Sequence, residues 1–117
     1  MAEKSGANRP LMTVAALLGA LGVAGAARGL HGGEGDLSIA ANMLLLHAPV
    51  LLVVSLLRSR RLMQIAGWVL VVALLLFAGD LAMRDELHHP LFAFAAPIGG
   101  GGMIVGWLLL AVGVWVG

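Results

Sequence analysis

Four apolar stretches dominate the sequence, and short segments that hold most of its charges separate them. Each stretch has about 20 residues, enough for an α-helix rising 1.5 Å per residue to cross the hydrocarbon core of a bilayer. We therefore predict an all-α polytopic membrane protein, a bundle of four transmembrane helices in one domain over residues 1–117. The predicted helices are Leu11 to Leu30, Leu37 to Leu57, Leu62 to Met83 and Pro97 to Gly117.

Composition supports this class and excludes others. With 61% hydrophobic residues and a mean hydropathy of +1.01, the chain is too apolar for a core inside a water-solvated shell. The net charge of +1 lacks the concentrated basic surface that binds phosphates, so no nucleic-acid partner is predicted. The sequence contains no cysteine, which excludes disulfides and thiol chemistry.

The first stretch also resembles a secretory signal, because Lys4 and Arg9 precede the apolar run and Ala24-Gly25-Ala26 follows it. Cleavage there would leave three spans. We expect the stretch to be retained as the first helix.

The distribution of basic residues predicts how the spans are threaded. The segments before the first and after the second helix lie on one side of the membrane, and the positive-inside rule places the more basic side in the cytoplasm. The predicted orientation is therefore N-in/C-in. Five of the seven Lys and Arg residues lie on this side: Lys4, Arg9, Arg58, Arg60 and Arg61.

Small residues recur every three or four positions in the first and fourth helices, which places them on one face of each. Such stripes let helix backbones approach closely in lipid. Packing within the chain and a homodimer seam both account for them. The stripes are Ala15, Gly19, Gly22, Ala26 and Gly29, and Gly99, Gly102, Gly106 and Gly113.

His47 is the ionisable residue nearest the middle of a predicted span. A polar group at that depth is costly to expose to lipid, so we expect it to face the helical interior. Pro49 removes the hydrogen bond to the carbonyl of Leu45 and predicts a kink, and His47 or a water could satisfy that carbonyl. A structural hydrogen bond and a proton-handling or ligand-binding role both remain open for His47.

Asp80 precedes Arg84 by four residues near the end of the third helix, the favourable order for an ion pair on one helix face. Arg28, at the end of the first helix, offers Asp80 a second partner. We predict an interfacial electrostatic cluster here.

Histidines and carboxylates gather in the two segments predicted on the outer side. They could bind zinc or copper, but their spacing matches no known signature, and solvated connections explain them more simply. Haem held by two histidines at mid-membrane depth is disfavoured, so no metal or cofactor is predicted. The residues concerned are His31, Glu34, Asp36, Asp85, Glu86, His88 and His89.

The fourth stretch opens with Pro97 and a run of four glycines at 99–102. Proline suits a first helical turn, whose free N–H groups could hold an anion or a lipid phosphate. The glycines also permit an irregular start, although close helix packing explains them more economically.

After a first helix rich in glycine and alanine, three motifs follow in order: Ala41 to His47 in the second helix, Leu76 to Leu81 at the end of the third, and Pro97-Ile98-Gly99-Gly100 with Gly106-Trp107 in the fourth. This order resembles the YgdD-like family of small bacterial inner-membrane proteins, similar to the eukaryotic transmembrane protein 256. The resemblance covers nearly the whole chain and implies four spans in the cytoplasmic (inner) membrane of a bacterium, with no established activity. The residues that match the family pattern are His47, Phe77, Gly79, Pro97, Gly99, Gly100, Gly106 and Trp107.

The sequence departs from the family in two places. Ala26-Ala27-Arg28 stands where the family usually has Gly-Ala-His, and Met43 and Leu46 stand where aromatic residues usually precede the histidine of the second helix. A role that needs a histidine pair between the first two helices is therefore not expected.

We expect a non-enzymatic protein that acts by lateral contact, as an accessory, assembly or lipid-interacting element. Membrane lipids, another membrane protein and a second copy of the chain are the expected partners. The rival hypothesis is a small transporter or channel with His47 lining the pathway. An enzyme is disfavoured because no nucleophile with its base, metal motif or cofactor fingerprint is present.

Overall fold

The computed structural model describes residues 6–32 and 35–116, with the backbone alone for residues 30–32. Across these residues the chain is all-α, without strands, and four of its helices are each long and apolar enough to span a membrane. The predicted fold class is confirmed. The helices are α1 (Arg9–Gly32), α2 (Asp36–Ser55), α3 (Arg61–Leu87) and α4 (Ala95–Gly113).

The end of α3 differs from the prediction. The helix continues past Met83 to Leu87 and stops where His88 adopts the left-handed conformation, with φ of 62°. Arg84 and the following acidic residues are adequate helix formers, so their charge marks the end of the apolar stretch and not the end of the helix.

The start of α4 also differs from the prediction. The helix begins at Ala95, so Pro97 is its third residue, where an N–H has no partner inside the helix. The glycine run is helical, and the irregular start that it permits is not observed. The helix ends at Gly113, before the predicted end at residue 117.

The helices form a staggered arrangement. The central pair is α2 and α3; α1 packs mainly on α2 and α4 packs on α3. No close backbone approach joins α1 to α4 within residues 9–32 and 95–113. The Cα extents of 47 × 26 × 18 Å fit this flattened shape. As a result, α1 and α4 each leave a broad face for lipid or a partner.

The apolar core lies between the central helices, where Leu51, Leu70 and Leu74 have no exposed surface. In lipid, such contacts stabilise the fold through van der Waals packing, since lipid chains are as apolar as the side chains themselves. Good fit between helices therefore matters more than hydrophobic burial.

The small-residue stripe of α1 packs within the chain against α2. A Cβ added at Gly22 would lie 2.9 Å from Leu45, and one at Gly29 would lie 2.8 Å from Oγ of Ser38. A side chain at either position would have to displace Leu45 or Ser38, so these glycines lie in the contact between α1 and α2.

Candidate functional site

His47 is buried and engaged at both ring nitrogens. Its side chain is 5% exposed, Nδ1 lies 2.8 Å from the carbonyl oxygen of Met43, and Nε2 lies 3.1 Å from Nε1 of Trp107 in α4. The indole N–H can only donate, so Nε2 accepts and Nδ1 carries the proton that it donates to Met43. The geometry therefore describes a neutral imidazole.

The His47–Trp107 pair bridges two helices whose backbones stay apart. No close backbone approach joins α2 to α4 in the residues described for them. The two rings span the gap edge to face, with centroids 5.7 Å apart and planes at 62°. A proton on Nε2 would point at the indole N–H and break this bridge, so the arrangement suits a structural link.

Two predictions about His47 have different outcomes. The prediction that it faces the interior is confirmed by its burial. Of the two groups suggested for the Leu45 carbonyl freed by Pro49, His47 is not the one that satisfies it, because the ring binds Met43. A helical side chain leans toward the turn before it, which brings the carbonyl four residues back within reach. The helix continues through Pro49.

Asp80 is completely buried and holds the connection between α3 and α4. Its Oδ2 accepts a hydrogen bond from Nε of Arg84 at 2.8 Å, which confirms the predicted ion pair. Its Oδ1 accepts the backbone N–H of Leu91, also at 2.8 Å. The carboxylate therefore ties the returning chain to the end of α3, a contact that the sequence did not indicate.

The prediction that Arg28 is a second partner of Asp80 is wrong. Its Nε and terminal nitrogen donate to both carboxylate oxygens of Glu86, at 2.8 and 2.7 Å. The extension of α3 beyond Met83 brings Glu86 opposite α1, which explains the change of partner. Both side chains are substantially exposed, so this pair contributes little to stability by itself.

The predicted outer cluster does not come together as a metal site among the residues described. No three side chains of His, Asp or Glu within 6–29 and 35–116 are placed to share an ion. Glu34 and the side chain of His31 lie outside the described residues. Asp36, Asp85, Glu86, His88 and His89 lie at the end of the helices that also holds Arg28 and Arg84, which we call the acidic end.

The motif glycines of α4 fit directly against α3. A Cβ at Gly99 would lie 2.6 Å from the backbone nitrogen of Phe77 and 2.8 Å from the carbonyl of Ala73, and one at Gly106 would meet Leu70 at 2.6 Å. Only glycine allows so close an approach at these positions. This stripe, like that of α1, packs within the chain.

The other motif residues have more peripheral positions. A Cβ placed on Gly100 would lie 3.9 Å from the ring of Phe77. Pro97 is exposed in the first turn of α4. Gly79 is near Leu91 and lines an apolar groove of about 350 Å³ between α1, α2 and α3.

The opposite end of the helices, which we call the arginine end, contains Arg9, Arg58, Arg60 and Arg61. Arg60 donates to the carbonyls of Gly113 and Val114, at 2.8 and 3.1 Å, and so caps the end of α4. Unpaired carbonyls at a helix C-terminus attract a cation, which explains the contact.

A polar network links the other three helices at the arginine end. Nδ2 of Asn8 donates to Oε1 of Gln64 at 2.6 Å, and Nε2 of Gln64 donates to the carbonyls of Val54 and Leu57. Sequence analysis missed this network. The available signal was Asn8 itself, a good N-cap residue just before α1, whose Oδ1 accepts the N–H of Leu11.

A second apolar groove, of about 460 Å³, runs between α2 and α4 toward the arginine end. Trp107 lies at its inner limit, and Leu57 and Val114 lie near its open end. Neither groove brings a cluster of polar groups together, and both suit apolar occupants.

Comparison with known proteins gives one match. A family described as "Protein of unknown function (DUF423)" matches residues 18–100. The chain belongs to this family. The match supports the resemblance seen in the sequence, and it includes His47, Asp80 and the contact of Phe77 with Gly99, while Trp107 lies beyond it. No curated protein and no solved structure matches the chain significantly.

Proposed function

We propose that this protein is a non-enzymatic accessory or assembly element of the membrane, acting through lateral contacts with lipids and with another membrane protein. The observation that carries the proposal is His47, whose two ring nitrogens are both occupied within the chain. A transport pathway would need that residue in contact with water or substrate. A group already committed to Met43 and Trp107 favours a structural role.

The shape of the molecule supports lateral contact. Both α1 and α4 lie at the edges of the arrangement, and α4 exposes large apolar side chains such as Ile104 and Leu108. The small residues that could have formed a seam with a second copy face the chain's own α2 and α3. The outer faces of the edge helices are therefore the surfaces that we propose for partners.

The proposed location is the bacterial inner membrane, with both termini in the cytoplasm. The excess of arginine at the end where α1 begins and α4 ends supports this orientation. A reporter fused to the C-terminus should be active in the cytoplasm. Activity on the other side of the membrane would contradict the proposed threading.

The proposed function is tested by crosslinking in native membranes, followed by purification in mild detergent and mass spectrometry. We expect a defined membrane-protein partner. A matched pair of substitutions sharpens the test: Leu108→Trp on the exposed face of α4 should reduce capture of a partner on that face, and Leu17→Trp on α1 should reduce capture on the other. Recovery of the protein alone in repeated experiments would contradict the accessory role.

A further inference from the structure

We propose that the α2–α4 groove and the arginine end together bind one anionic phospholipid, with an acyl chain in the groove and the phosphate at the arginines. This inference rests on the proposed function, because it specifies one of the lateral contacts. The occupant follows from an apolar groove and a concentration of positive charge at one end of it.

The groove has the character of an acyl-chain site. Its lining is almost wholly apolar and includes Val50, Val53, Leu110 and Ala111. From Val50 to Leu57 it follows about 10 Å of helix rise, the length of part of an acyl chain. It lies where α2 and α4 are joined by side chains rather than by close backbone contact, so lipid can enter from the side.

The charge at the open end of the groove favours an anion. Leu57 and Met63 line the groove, and between them in sequence lie Arg58, Arg60 and Arg61. Arg58 and Arg61 are exposed at this end. Within residues 6–32 and 35–116 every acidic residue lies at or near the other end: Asp36, Asp80, Asp85 and Glu86.

Arg60 supplies the third observation. Its terminal nitrogen holds the carbonyls that end α4, while its Nε is buried and lacks a hydrogen-bond partner in the described part of the chain. That Nε has almost no accessible surface, so Arg60 adds its positive charge to this end of the groove and does not offer a free donor to a lipid oxygen. Val114, whose carbonyl Arg60 holds, also lines the groove.

The other groove provides the contrast. The groove between α1, α2 and α3 ends at Arg28, but Glu86 already neutralises that guanidinium. Acidic residues surround this end, so it should accept acyl chains without selecting an anionic headgroup. The preference for an anion therefore belongs to the α2–α4 groove.

Native mass spectrometry of the full chain tests the proposal, using protein released from detergent micelles with equal amounts of phosphatidylglycerol and phosphatidylcholine. We expect phosphatidylglycerol to be retained preferentially. Arg58→Gln with Arg61→Gln should lower the ratio of the two bound lipids by about fivefold per arginine, the usual contribution of a basic residue near anionic lipid. Lysine at both positions should retain most of the preference.

Two control substitutions make the result specific. Arg28→Gln removes the same charge from the acidic end and should leave the lipid ratio unchanged. Ala111→Phe fills the groove and should reduce the amount of bound phosphatidylglycerol, whereas Ala20→Phe, on an exposed position of α1, should not. Circular dichroism checks that each variant keeps its helices.

Equal retention of the two lipids by the unmodified protein would overturn the inference. The inference would also be overturned if Arg28→Gln lowered the lipid ratio as much as the substitutions of Arg58 and Arg61 do. Undiminished binding in Ala111→Phe would show that the groove is not used. These outcomes are independent of partner capture. A recovered partner without lipid preference would remove this inference alone, and lipid preference without any partner would remove the accessory role alone.

Discussion

The proposed function can be tested most directly at His47 and Trp107. Replacing either residue leaves a polar group of the other without its partner at mid-membrane depth. In a double-mutant cycle of His47→Leu and Trp107→Phe, we expect a coupling of about 0.6 kcal/mol and at most about 1.7 kcal/mol, the average and the maximum for hydrogen bonds between transmembrane helices. The free energy of unfolding in micelles is the measurement.

The cycle also separates structure from transport. If the pair is a structural link, the double variant should be more stable than the sum of the single changes predicts, and it should still capture its partner. Strictly additive effects would show that the two rings do not depend on each other. The proposed structural link between His47 and Trp107 would then be wrong.

Asp80 gives a second prediction for a single residue. Asp80→Ala removes the acceptor for Leu91 and the partner of Arg84, so amide exchange at Leu91 should accelerate by about tenfold or more, as expected when a hydrogen bond to a charged group is lost. Glu86→Gln changes an exposed pair and serves as the control. Unchanged exchange at Leu91 in Asp80→Ala would refute the proposed tie.

Sequence could predict the depth of His47 and the local pair of Asp80 with Arg84, because both follow from spacing along one helix. It could not predict the partner of His47, since spacing along α2 does not tell which neighbouring helix the ring faces, and Trp107 is on another helix. Arg28 was assigned to Asp80 because the end of α3 was placed too early. Both of these contacts join different helices.

At the scale of elements, the contact of α3 with α4 depends on glycine at particular positions. Gly99→Ala should destabilise the protein by about 1–3 kcal/mol, because the added methyl group would overlap the backbone of Phe77 and Ala73. Gly101→Ala is the matched control, since nothing lies within 4 Å of that position and alanine favours helix by up to about 1 kcal/mol.

Unfolding in micelles with both variants measures this difference. Equal stabilities for Gly99→Ala and Gly101→Ala would show that α3 and α4 do not approach as closely as described. The stripe itself was evident in the sequence. The helix that it faces was not, because spacing identifies a face of a helix and does not identify the neighbour.

At the scale of the whole molecule, hydrophobic length was enough to predict four helices and their class, because the bilayer sets the length of a span. It could not predict the staggered arrangement that leaves α1 and α4 apart. In lipid, helices gain nothing from hiding apolar surface, so hydrophobicity alone does not determine which of them meet.

The absence of native cysteine allows the central claim to be tested with single-cysteine variants in intact membranes. The first variant is His47→Cys, combined with Trp107→Phe so that no indole N–H is left unpaired. The second is Ser59→Cys, in the exposed turn after α2. A water-soluble maleimide should label position 59 rapidly and position 47 only after unfolding in detergent. Labelling of position 47 from either side at a rate comparable to that of position 59 would show that water reaches the middle of α2, and would favour a transport pathway over the structural link.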